Sequence, residues 1–360
     1  MLKYRLTCGI VLMIYITLNI TSGFASPDPL KSDEVLRLFP TYATWSSSGH
    51  WETKVRGWVF EPEHDSVSRK LMIKAIGKGM DLSSSHPNWP IFRERIRWFL
   101  VDNERSKTVQ IKCLDAVGMG TTKANGQFLT SLKITAPALT SVTGAPKIET
   151  MKSAPTVDGR VTQGVVFLVP PEGLSVISDI DDTVKLTEVL DRDKMLNNTF
   201  VKPFQALPGM ADLYQRWAKS GAMFHFISSS PWQLQPLLAD FLKESGFPAA
   251  TFHLKLVRLK DRSLLNLFKP GTETKPPQIK QILNDFPQRH FILVGDSGEH
   301  DPEVYGIIAR QYQAQIKHIY IREVSGAKNT PLRFQEAFRD VPTELWTTFS
   351  EVKKISASTD

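Results

Sequence analysis

Hydrophobic and polar residues follow two different patterns in the two halves of this chain. From residue 174 onward, short apolar segments end in polar loops and alternate with stretches of helical periodicity. This pattern is typical of a parallel sheet, because strands covered by helices on both faces are apolar throughout. We therefore predict an α/β domain. The predicted strands are Leu174–Ser178, Ala222–Ile227, Phe252–Val257, His290–Val294 and His318–Ile321, and the predicted helices are Gly209–Ser220, Pro231–Ser245, Pro277–Asp285 and Pro302–Gln313, the last with Asp301 as its N-cap.

Residues 41 to 170 show short β-prone runs separated by turns. Gly, Pro, Asn and Ser cluster between these runs, and Asn125-Gly126 is a strong hairpin signal. We predict a β-sandwich-like domain here, with Trp58 and Trp98 in its core. Polar residues in this half form no constellation that suggests chemistry. The predicted strands are Val55–Phe60, Leu71–Ile76, Thr108–Leu114 and Gly164–Val169. A closing helix or two is expected from Pro331 to Phe349.

The first 25 residues have the composition of a secretory signal. Lys3 and Arg5 precede an uncharged stretch that extends from Leu6 to Ile20, and small residues at Gly23 and Ala25 suit a signal peptidase. A retained membrane anchor is the alternative, although polar residues interrupt the stretch and leave it short of 18 consecutive apolar positions. We expect cleavage after residue 25 and an exported protein, either periplasmic or secreted.

Composition excludes several classes of protein. A chain of 360 residues is long enough for two domains, and its 44 basic and 37 acidic residues give a formal net charge of +7. This mild excess favours anionic lipid slightly, but no basic run interleaved with aromatics indicates nucleic-acid binding. Of the two cysteines, Cys8 lies in the predicted signal, so the exported protein cannot depend on internal disulfides. We interpret Cys113 as a core residue.

The segment from Ser175 to Thr183 carries the strongest chemical signal. An apolar strand ends in Asp179 and Asp181, and residues two apart in an extended segment point the same way. Ligands of open α/β sheets bind at such strand ends, where one carboxylate could attack a phosphoryl group and the other could protonate the leaving oxygen. A solvated Asp-rich turn is the structural alternative. A calcium loop fits poorly, because Val184 and Leu190 stand where that loop needs Gly and Glu.

Three further strand ends supply groups that phosphoryl transfer needs. Ser228 and Ser229 offer hydroxyl and N–H donors before a helix, although Ser230 could simply cap that helix. Lys275 can pair with the same phosphate, or it can be an ordinary surface lysine. Asp296 and Asp301 could ligate a metal, and Mg²⁺ with Lys275 would offset the repulsion between a phosphate and the carboxylates.

The turn Gly295-Asp296-Ser297-Gly298 is also similar to the nucleophile turn of trypsin-like serine proteases. We disfavour that interpretation, because Glu299 and His300 follow where those proteases have Gly-Pro. The turn also lies between an apolar strand and a helix, although spacing alone does not exclude a triad.

Together these motifs resemble known phosphotransferases. Asp179-x-Asp181-x-Thr183 is similar to the first motif of the haloacid-dehalogenase superfamily. The motifs over roughly residues 160 to 325 closely resemble the catalytic domain of the App1-type phosphatidate phosphatases, and the match extends weakly to Val55–Phe60. The matching segments are Ser178–Lys185, Ile227–Leu234, Lys275 with Ile279, Ile282, Leu283 and Phe286-Pro287, and Gly295–Tyr305.

This resemblance implies Mg²⁺-dependent dephosphorylation of phosphatidate to diacylglycerol through an aspartyl phosphate. It implies Asp179 as nucleophile and Asp181 as acid/base. The phosphate-binding candidates are Ser228, Ser229, Lys275 and Thr183, and the metal candidates are Asp179, Asp181, Asp296 and Asp301. Ser229 stands where relatives often have Asn, and the family's best-known member is cytoplasmic, whereas a signal is predicted here.

The predicted organisation has four parts: a signal peptide (1–25), a β-rich accessory domain (26–170), a haloacid-dehalogenase-like, Rossmann-like phosphatase domain (171–330) and a C-terminal helical segment (331–360). The stretches between Thr183 and Ser228 and between Gly246 and Lys275 are short for a cap that encloses the substrate, so we expect the site to be open to an anionic lipid at a membrane surface. The alternative is that these inserts form an ordinary solvated surface. The expected rim residues are Lys185, Arg192, Lys194, Lys202, Arg258, Lys260, Arg262 and Lys269, with Leu264, Leu265, Leu267 and Phe268. The alternatives are the same chemistry on a soluble phosphomonoester or phosphoprotein, and a binding module with a vestigial catalytic domain.

Overall fold

A computed structural model of the chain describes residues 29–62, 66–135, 144–256, 274–324, 326–327 and 329–355. The predicted signal peptide and the rim residues between 257 and 273 lie outside this description. Among the described helices, none combines the length and the apolar character that crossing a membrane requires.

The described residues of the first half form nine strands and two helices. All nine strands belong to one mainly antiparallel sheet, in which the hydrogen-bonded order is β1-β3-β2-β9-β8-β5-β6, with β4 and β7 paired to β3. A sandwich with two separate sheets is therefore not confirmed. The elements are β1 Val35–Leu38, β2 Thr41–Trp45, β3 Trp51–Glu61, α1 Val67–Lys78, α2 Trp89–Arg97, β4 Asp102–Asn103, β5 Thr108–Cys113, β6 Ala116–Thr121, β7 Gln127–Ile134, β8 Lys147–Ser153 and β9 Gln163–Leu168.

Two predictions for this half are wrong. The run Leu71–Ile76 lies in helix α1 and is not a strand, because its Leu, Met, Lys and Ala residues are strong helix formers and the side chain of Ile73 is buried against the core. The Asn-Gly turn is present, and Gly126 has a φ of 71°. However, the strands on either side of it pair elsewhere, β6 with β5 and β7 with β3, so the expected hairpin does not form.

The second half contains a six-stranded parallel sheet with the order β12-β11-β10-β13-β14-β15. The five predicted strands and four predicted helices are confirmed, with boundaries that differ by a few residues. The elements are β10 Leu174–Ser178, α3 Arg192–Phe200, α4 Met210–Lys219, β11 Met223–Pro231, α5 Gln235–Glu244, β12 Thr251–Lys255, α6 Lys275–Asp285, β13 His290–Asp296, α7 Asp301–Gln311, β14 Ile316–Arg322, α8 Pro331–Ala337 and β15 Trp346–Phe349; 3₁₀ turns occupy Trp232–Leu234, Thr343–Leu345 and Val352–Lys354.

The C-terminal segment differs from its helical prediction. Helix α8 forms as expected, but Trp346–Phe349 is an edge strand in parallel register with β14. Four residues are too few to show a periodicity that distinguishes strand from helix, so the sequence alone does not separate them. The segment thus completes the parallel sheet at one edge.

The two halves share a hydrophobic core. Trp58 and Phe60 of β3 pack in the same buried cluster as Val176 and Phe226 of the parallel sheet, and Trp98 packs against this cluster. Cys113 is a free, fully buried thiol, as predicted. Strands β10, β11 and β13 are parallel neighbours, so their carboxyl ends open onto one edge of the sheet. The predicted chemical residues follow these ends.

Candidate active site

Asp179 follows the central strand β10 and is almost completely buried. Its backbone N–H donates a hydrogen bond of 2.9 Å to Val294 O of the neighbouring strand, which fixes the start of the loop. Its carboxylate oxygen Oδ1 lies 3.0 Å from Lys275 Nζ, and Oδ2 accepts a long hydrogen bond of 3.4 Å from Thr183 Oγ1. The Asp179 carboxylate is thus paired with a cation inside the protein.

Three buried carboxylates meet at this point. Ligand atoms of Asp179, Asp296 and Asp301 all lie within 4.8 Å of one another. Asp296 Oδ1 accepts hydrogen bonds from the N–H groups of Gly298 (2.7 Å) and Glu299 (3.1 Å), whereas Asp296 Oδ2 is buried and has no hydrogen-bond partner among the residues that the structure describes. An unpartnered buried carboxylate oxygen is costly, and a hard cation is the kind of ligand that would satisfy it.

Gly295 makes the close approach of these groups possible. A Cβ at this position would lie 2.4 Å from Asp301 Oδ2 and 2.7 Å from the Tyr305 ring. Any larger residue would therefore push the Asp301 carboxylate away from the end of β13. In turn, Asp301 Oδ2 accepts a hydrogen bond of 3.2 Å from the Asp296 N–H.

Lys275 is the cation at the centre of this cluster. Its Nζ lies 2.6 Å from Asp301 Oδ1, 3.0 Å from Asp179 Oδ1 and 3.1 Å from Glu299 Oε2. Burial acts to lower the pKa of Lys275, but these carboxylates outweigh it and raise that pKa well above its usual value, so the amine is charged.

One ammonium does not neutralise the carboxylates around it. Burial, and then mutual repulsion that Lys275 only partly offsets, raises the pKa values of Asp179 and Asp296 well above the usual range for a carboxyl group. The pKa of Glu299 is also raised, and burial is again the main cause. Lys275 alone does not balance the negative charge of this cluster, so a second cation would be stabilised there. Asp179, Asp296 and Asp301 are the residues of the site that could hold a divalent cation.

Asp181 faces a different set of partners. Its Oδ1 lies 2.9 Å from Lys185 Nζ and accepts a hydrogen bond of 2.9 Å from Thr187 Oγ1. Its Oδ2 accepts hydrogen bonds from Ser228 Oγ (2.9 Å) and Ser230 Oγ (3.1 Å). Burial acts to raise the pKa of Asp181, but the Lys185 charge and these donors lower it to about 2. Of the four predicted metal ligands, the Asp181 carboxylate is thus the one that lies outside the acidic cluster.

The predicted phosphate cradle lies at the end of β11. Ser228 Oγ accepts a hydrogen bond of 2.9 Å from the Ser230 N–H while it donates to Asp181. Ser229 Oγ is buried, and within the described part of the chain it has no hydrogen-bond partner. Ser230 does not cap a helix: the 3₁₀ turn begins at Trp232 after Pro231, and the Ser230 side chain binds Asp181 instead. Two of the three serines, Ser228 and Ser230, therefore bind the Asp181 carboxylate.

Two hydrogen-bond clamps hold the surrounding loops. Asp182 has a φ of 53°, and its carboxylate accepts hydrogen bonds from the N–H groups of Thr187, Glu188 and Val189 at 2.7 to 2.8 Å. On the other side, Arg333 of α8 donates to the carbonyl oxygens of Ser297 (2.6 Å) and Glu299 (2.7 Å). The C-terminal segment thus supports the loop that presents Asp296 and Glu299.

Two predictions near the site are wrong. Lys185 is buried and paired with Asp181, so it does not belong to a basic surface rim. Asp301 does not cap α7: the helix begins at Asp301 itself after His300, and the carboxylate turns inward to Lys275. In both cases the charged side chain pairs with an opposite charge inside the protein: Lys185 pairs with Asp181 and is not exposed to solvent, and Asp301 pairs with Lys275 and does not cap the helix.

The sequence predicted no contact with the catalytic carboxylates or with Lys275 for three residues that the fold brings into the site. Lys185 and Thr187 bind Asp181, and Glu299 binds Lys275. Glu299 follows the Asp296 loop closely enough to be a candidate from spacing. The contact of Lys185 depends on a tight loop, in which its N–H donates to Ile180 O at 3.0 Å.

Comparison with known proteins finds a family model that matches the second half of the chain. Residues 174–323 match the family model described as "Phosphatidate phosphatase APP1, catalytic domain". This part of the chain is therefore similar to the APP1 catalytic domain. The matched range contains the strand ends described above, so the carboxylate cluster, the three serines and Lys275 lie within the region of similarity.

Two curated relatives match about half of this chain and are longer than it is. The chain is 36% identical over 180 residues to Phosphatidate phosphatase APP1 of Saccharomyces cerevisiae, covering 48% of this chain and 30% of that protein. It is 29% identical over 211 residues to an uncharacterized protein of Schizosaccharomyces pombe, covering 56% and 34%. The chain thus spans about a third of the length of these curated relatives. Among solved structures, a putative beta-phosphoglucomutase from Thermotoga maritima aligns with a TM-score of 0.27 and 14% identity, covering 46% of this chain and 91% of that one.

Proposed function

We propose that this protein is a Mg²⁺-dependent phosphatidate phosphatase that forms an aspartyl-phosphate intermediate and releases diacylglycerol and phosphate. The observation that carries the proposal is the buried carboxylate cluster around Lys275 inside an APP1-type domain. We also assign the domain a haloacid-dehalogenase-like fold, which its Asp179-x-Asp181-x-Thr183 motif and parallel sheet support.

Asp179 is the proposed nucleophile. Its carboxylate oxygen attacks phosphorus, a new oxygen–phosphorus bond forms, and the bond between phosphorus and the glycerol oxygen breaks. Lys275 acts against burial to lower the pKa of the Asp179 carboxyl, and it is the proposed cation for the transferred phosphoryl oxygens. Thr183, Ser228 and Ser229 are the proposed hydroxyl and N–H donors to the same group.

Asp181 is the proposed acid and base. In its protonated form it gives a proton to the departing glycerol oxygen, which leaves as diacylglycerol. The resulting carboxylate then takes a proton from the water that attacks the phosphoaspartate, which restores Asp179 and releases phosphate. In the structure Asp181 is ionised and bound to Ser228, so a bound phosphate would have to compete for this hydroxyl.

The residues fit a magnesium ion. Asp179, Asp296 and Asp301 would hold it, and the unpartnered Asp296 Oδ2 is the clearest candidate ligand. When bound, the ion would neutralise charge on the phosphate and the carboxylates.

The proposed substrate lies in a membrane, and the protein is proposed to be exported. Arg192, Lys194 and Lys202 are exposed on the segment after Asp181, where they suit an anionic lipid surface. The proposed signal peptide predicts a mature protein that begins near Ser26 and fractionates outside the cytoplasm. N-terminal sequencing tests this, and a functional protein that retains Met1 would contradict it.

The lipid assignment is tested by surface dilution. Activity on phosphatidate in mixed micelles should fall when detergent dilutes the lipid at constant bulk concentration, because the enzyme meets its substrate at a surface. If soluble phosphomonoesters or phosphoproteins are cleaved faster at every dilution, the mechanism stands with a soluble substrate.

A further inference from the structure

Lys185 is a buried cation that the reaction described above does not use. Its side chain is 1% exposed. Its Nζ lies 2.9 Å from Asp181 Oδ1, donates a hydrogen bond to Thr187 Oγ1, and lies 5.2 Å from the centre of the Phe204 ring. Burying an ammonium is costly unless its partners are fixed, so this arrangement constrains both Lys185 and Asp181.

The contacts of Asp181 are divided between its two oxygens. Lys185 and Thr187 hold Oδ1, while Ser228 and Ser230 hold Oδ2. The serines belong to the proposed phosphate cradle, and a bound phosphate would compete for their hydroxyl groups. Lys185 and Thr187 would then remain as the contacts that determine the direction of the carboxylate.

The segment after α3 holds Lys185 in turn. An isolated β-bridge joins Lys185 to Ala206, and the Leu186 N–H donates to Gln205 O at 2.9 Å. Phe204, in the same segment, also packs edge-on against Phe241 at 5.4 Å between ring centres. Lys185 thus depends on the position of residues 204–206.

Arg95 reaches this segment from helix α2 in the other half of the chain. Its guanidinium carbon lies 3.7 Å from the centre of the Phe204 ring, and its Nη1 donates hydrogen bonds of 2.8 Å to both Thr199 O and Lys202 O. Burial lowers the pKa of Arg95 to about 10, which leaves it charged at neutral pH. One residue of the β-rich half therefore fixes both the backbone and the aromatic ring beside Lys185.

We propose that Lys185 is a positioning residue that directs the Asp181 carboxylate toward the leaving oxygen, and that Arg95 holds Lys185 in place through Phe204. The β-rich half thereby takes part in protonation of the leaving group. This inference rests on the proposed acid role of Asp181. Residues 199–206 then connect Arg95 of the β-rich half to Lys185 of the parallel-sheet half.

Leaving-group dependence tests the proposal in the full-length protein. The alkoxide that leaves from dioctanoyl phosphatidate needs a proton, whereas p-nitrophenolate does not, and kcat/KM reports steps only as far as phosphoenzyme formation. In Lys185→Met, kcat/KM for dioctanoyl phosphatidate should fall at least tenfold more than kcat/KM for p-nitrophenyl phosphate. Equal losses on both substrates would indicate a merely structural role and would overturn the inference.

Asp181→Asn supplies the reference. If it shows the leaving-group effect and Lys185→Met does not, the inference fails while the proposed function stands. If Asp181→Asn itself shows no such effect, the acid assignment fails and the inference fails with it. Phe204→Leu, which retains the Lys185 charge, should shift the ratio of the two kcat/KM values in the same direction by about threefold even if Lys185→Met does not fold.

A double-mutant cycle tests the link to Arg95. Arg95→Gln should shift the same ratio, and combining it with Lys185→Met should add little, because both act on one carboxylate. Arg93→Gln, on the exposed face of the same helix, is the matched control and should leave the ratio unchanged. Multiplicative effects of Arg95→Gln and Lys185→Met would overturn the link between the two halves.

Discussion

Replacement of Lys275 by Met should both destabilise the protein and make its stability depend on divalent metal. Lys275 Nζ lies within 3.1 Å of three carboxylates, and at an effective dielectric of 20 each unit-charge pair near 4 Å contributes about 4 kcal/mol before desolvation. Removing one partner from a buried ion pair typically costs about 3–5 kcal/mol, because the other charge stays buried. We expect a loss in this range at pH 8.

The sign of the pH dependence follows from the carboxylates. Without Lys275, burial and repulsion raise the pKa values of Asp179 and Asp296 further above their unfolded values. Groups with raised folded-state pKa values stabilise the protein at low pH and lose that contribution as pH rises. The cost of Lys275→Met should therefore be smaller at pH 6 than at pH 8.

Urea unfolding followed by tryptophan fluorescence measures these changes. Mg²⁺ at about 100 times its dissociation constant should restore roughly 2.7 kcal/mol to the variant. Lys243→Met, at an exposed position of α5, is the control for loss of a lysine. A cost below about 1 kcal/mol, with no response to Mg²⁺, would refute the electrostatic account of the cluster.

Three further predictions concern the acid, the metal and pH. Asp181→Asn should lower kcat/KM for phosphatidate by about 10²–10⁴, as expected for loss of a general acid; steady-state assays with full activity would contradict this. Asp296→Asn should raise the Mg²⁺ concentration needed for half-maximal activity, and undiminished turnover of the parent in excess EDTA would exclude the metal. Burial first, and then Arg56, lowers the pKa of His253 to about 4, so its contribution to stability is present above pH 6.5 and is lost as pH falls toward 4. Between pH 8 and pH 5.5, the free energy of unfolding in urea should fall by about 1 kcal/mol less for His253→Gln than for the parent. An equal fall in both proteins would show that His253 does not contribute to the pH dependence.

The parallel sheet could be predicted from sequence because its signals are local. Strand β10 is a short, mainly apolar run that Asp179 follows directly, and β13 is another such run that ends at Asp296, so the change from apolar to acidic residues marks the end of each strand. Helix α1 was missed because Leu71–Ile76 is a short and mainly apolar run, and periodicity alone does not distinguish a strand from a helix in such a run. The burial of Ile73 and Gly77 depends on the tertiary fold. The edge strand Trp346–Phe349 is too short to show a periodicity.

Within the site, the sequence could indicate which residue types meet but not which atoms pair. Asp179 and Asp181 follow one strand, yet Asp179 pairs with Lys275 and Asp181 with Lys185. Which lysine pairs with which aspartate depends on the tight loop that contains Lys185 and on α6, which is distant in the sequence and begins with Lys275. Arg95 could not be predicted at all, since its contact with Phe204 joins residues from the two halves.

The two halves are thus connected by specific contacts as well as by a shared core. Tyr42 of β2 donates a hydrogen bond of 2.7 Å to Asp285 Oδ2 at the end of α6, the helix that begins with Lys275. Arg95 fixes the segment on the opposite side of the sheet, after α3. The β-rich half therefore contacts segments that support both the proposed nucleophile and the proposed acid.

Phosphate release from phosphatidate in mixed micelles, measured with and without Mg²⁺ beside a panel of soluble phosphomonoesters, tests the central claim most directly. We predict Mg²⁺-dependent release that is fastest with phosphatidate and is abolished in Asp179→Asn. Release that persists in Asp179→Asn would contradict the covalent mechanism, and faster release from soluble phosphomonoesters at every lipid dilution would contradict the lipid substrate.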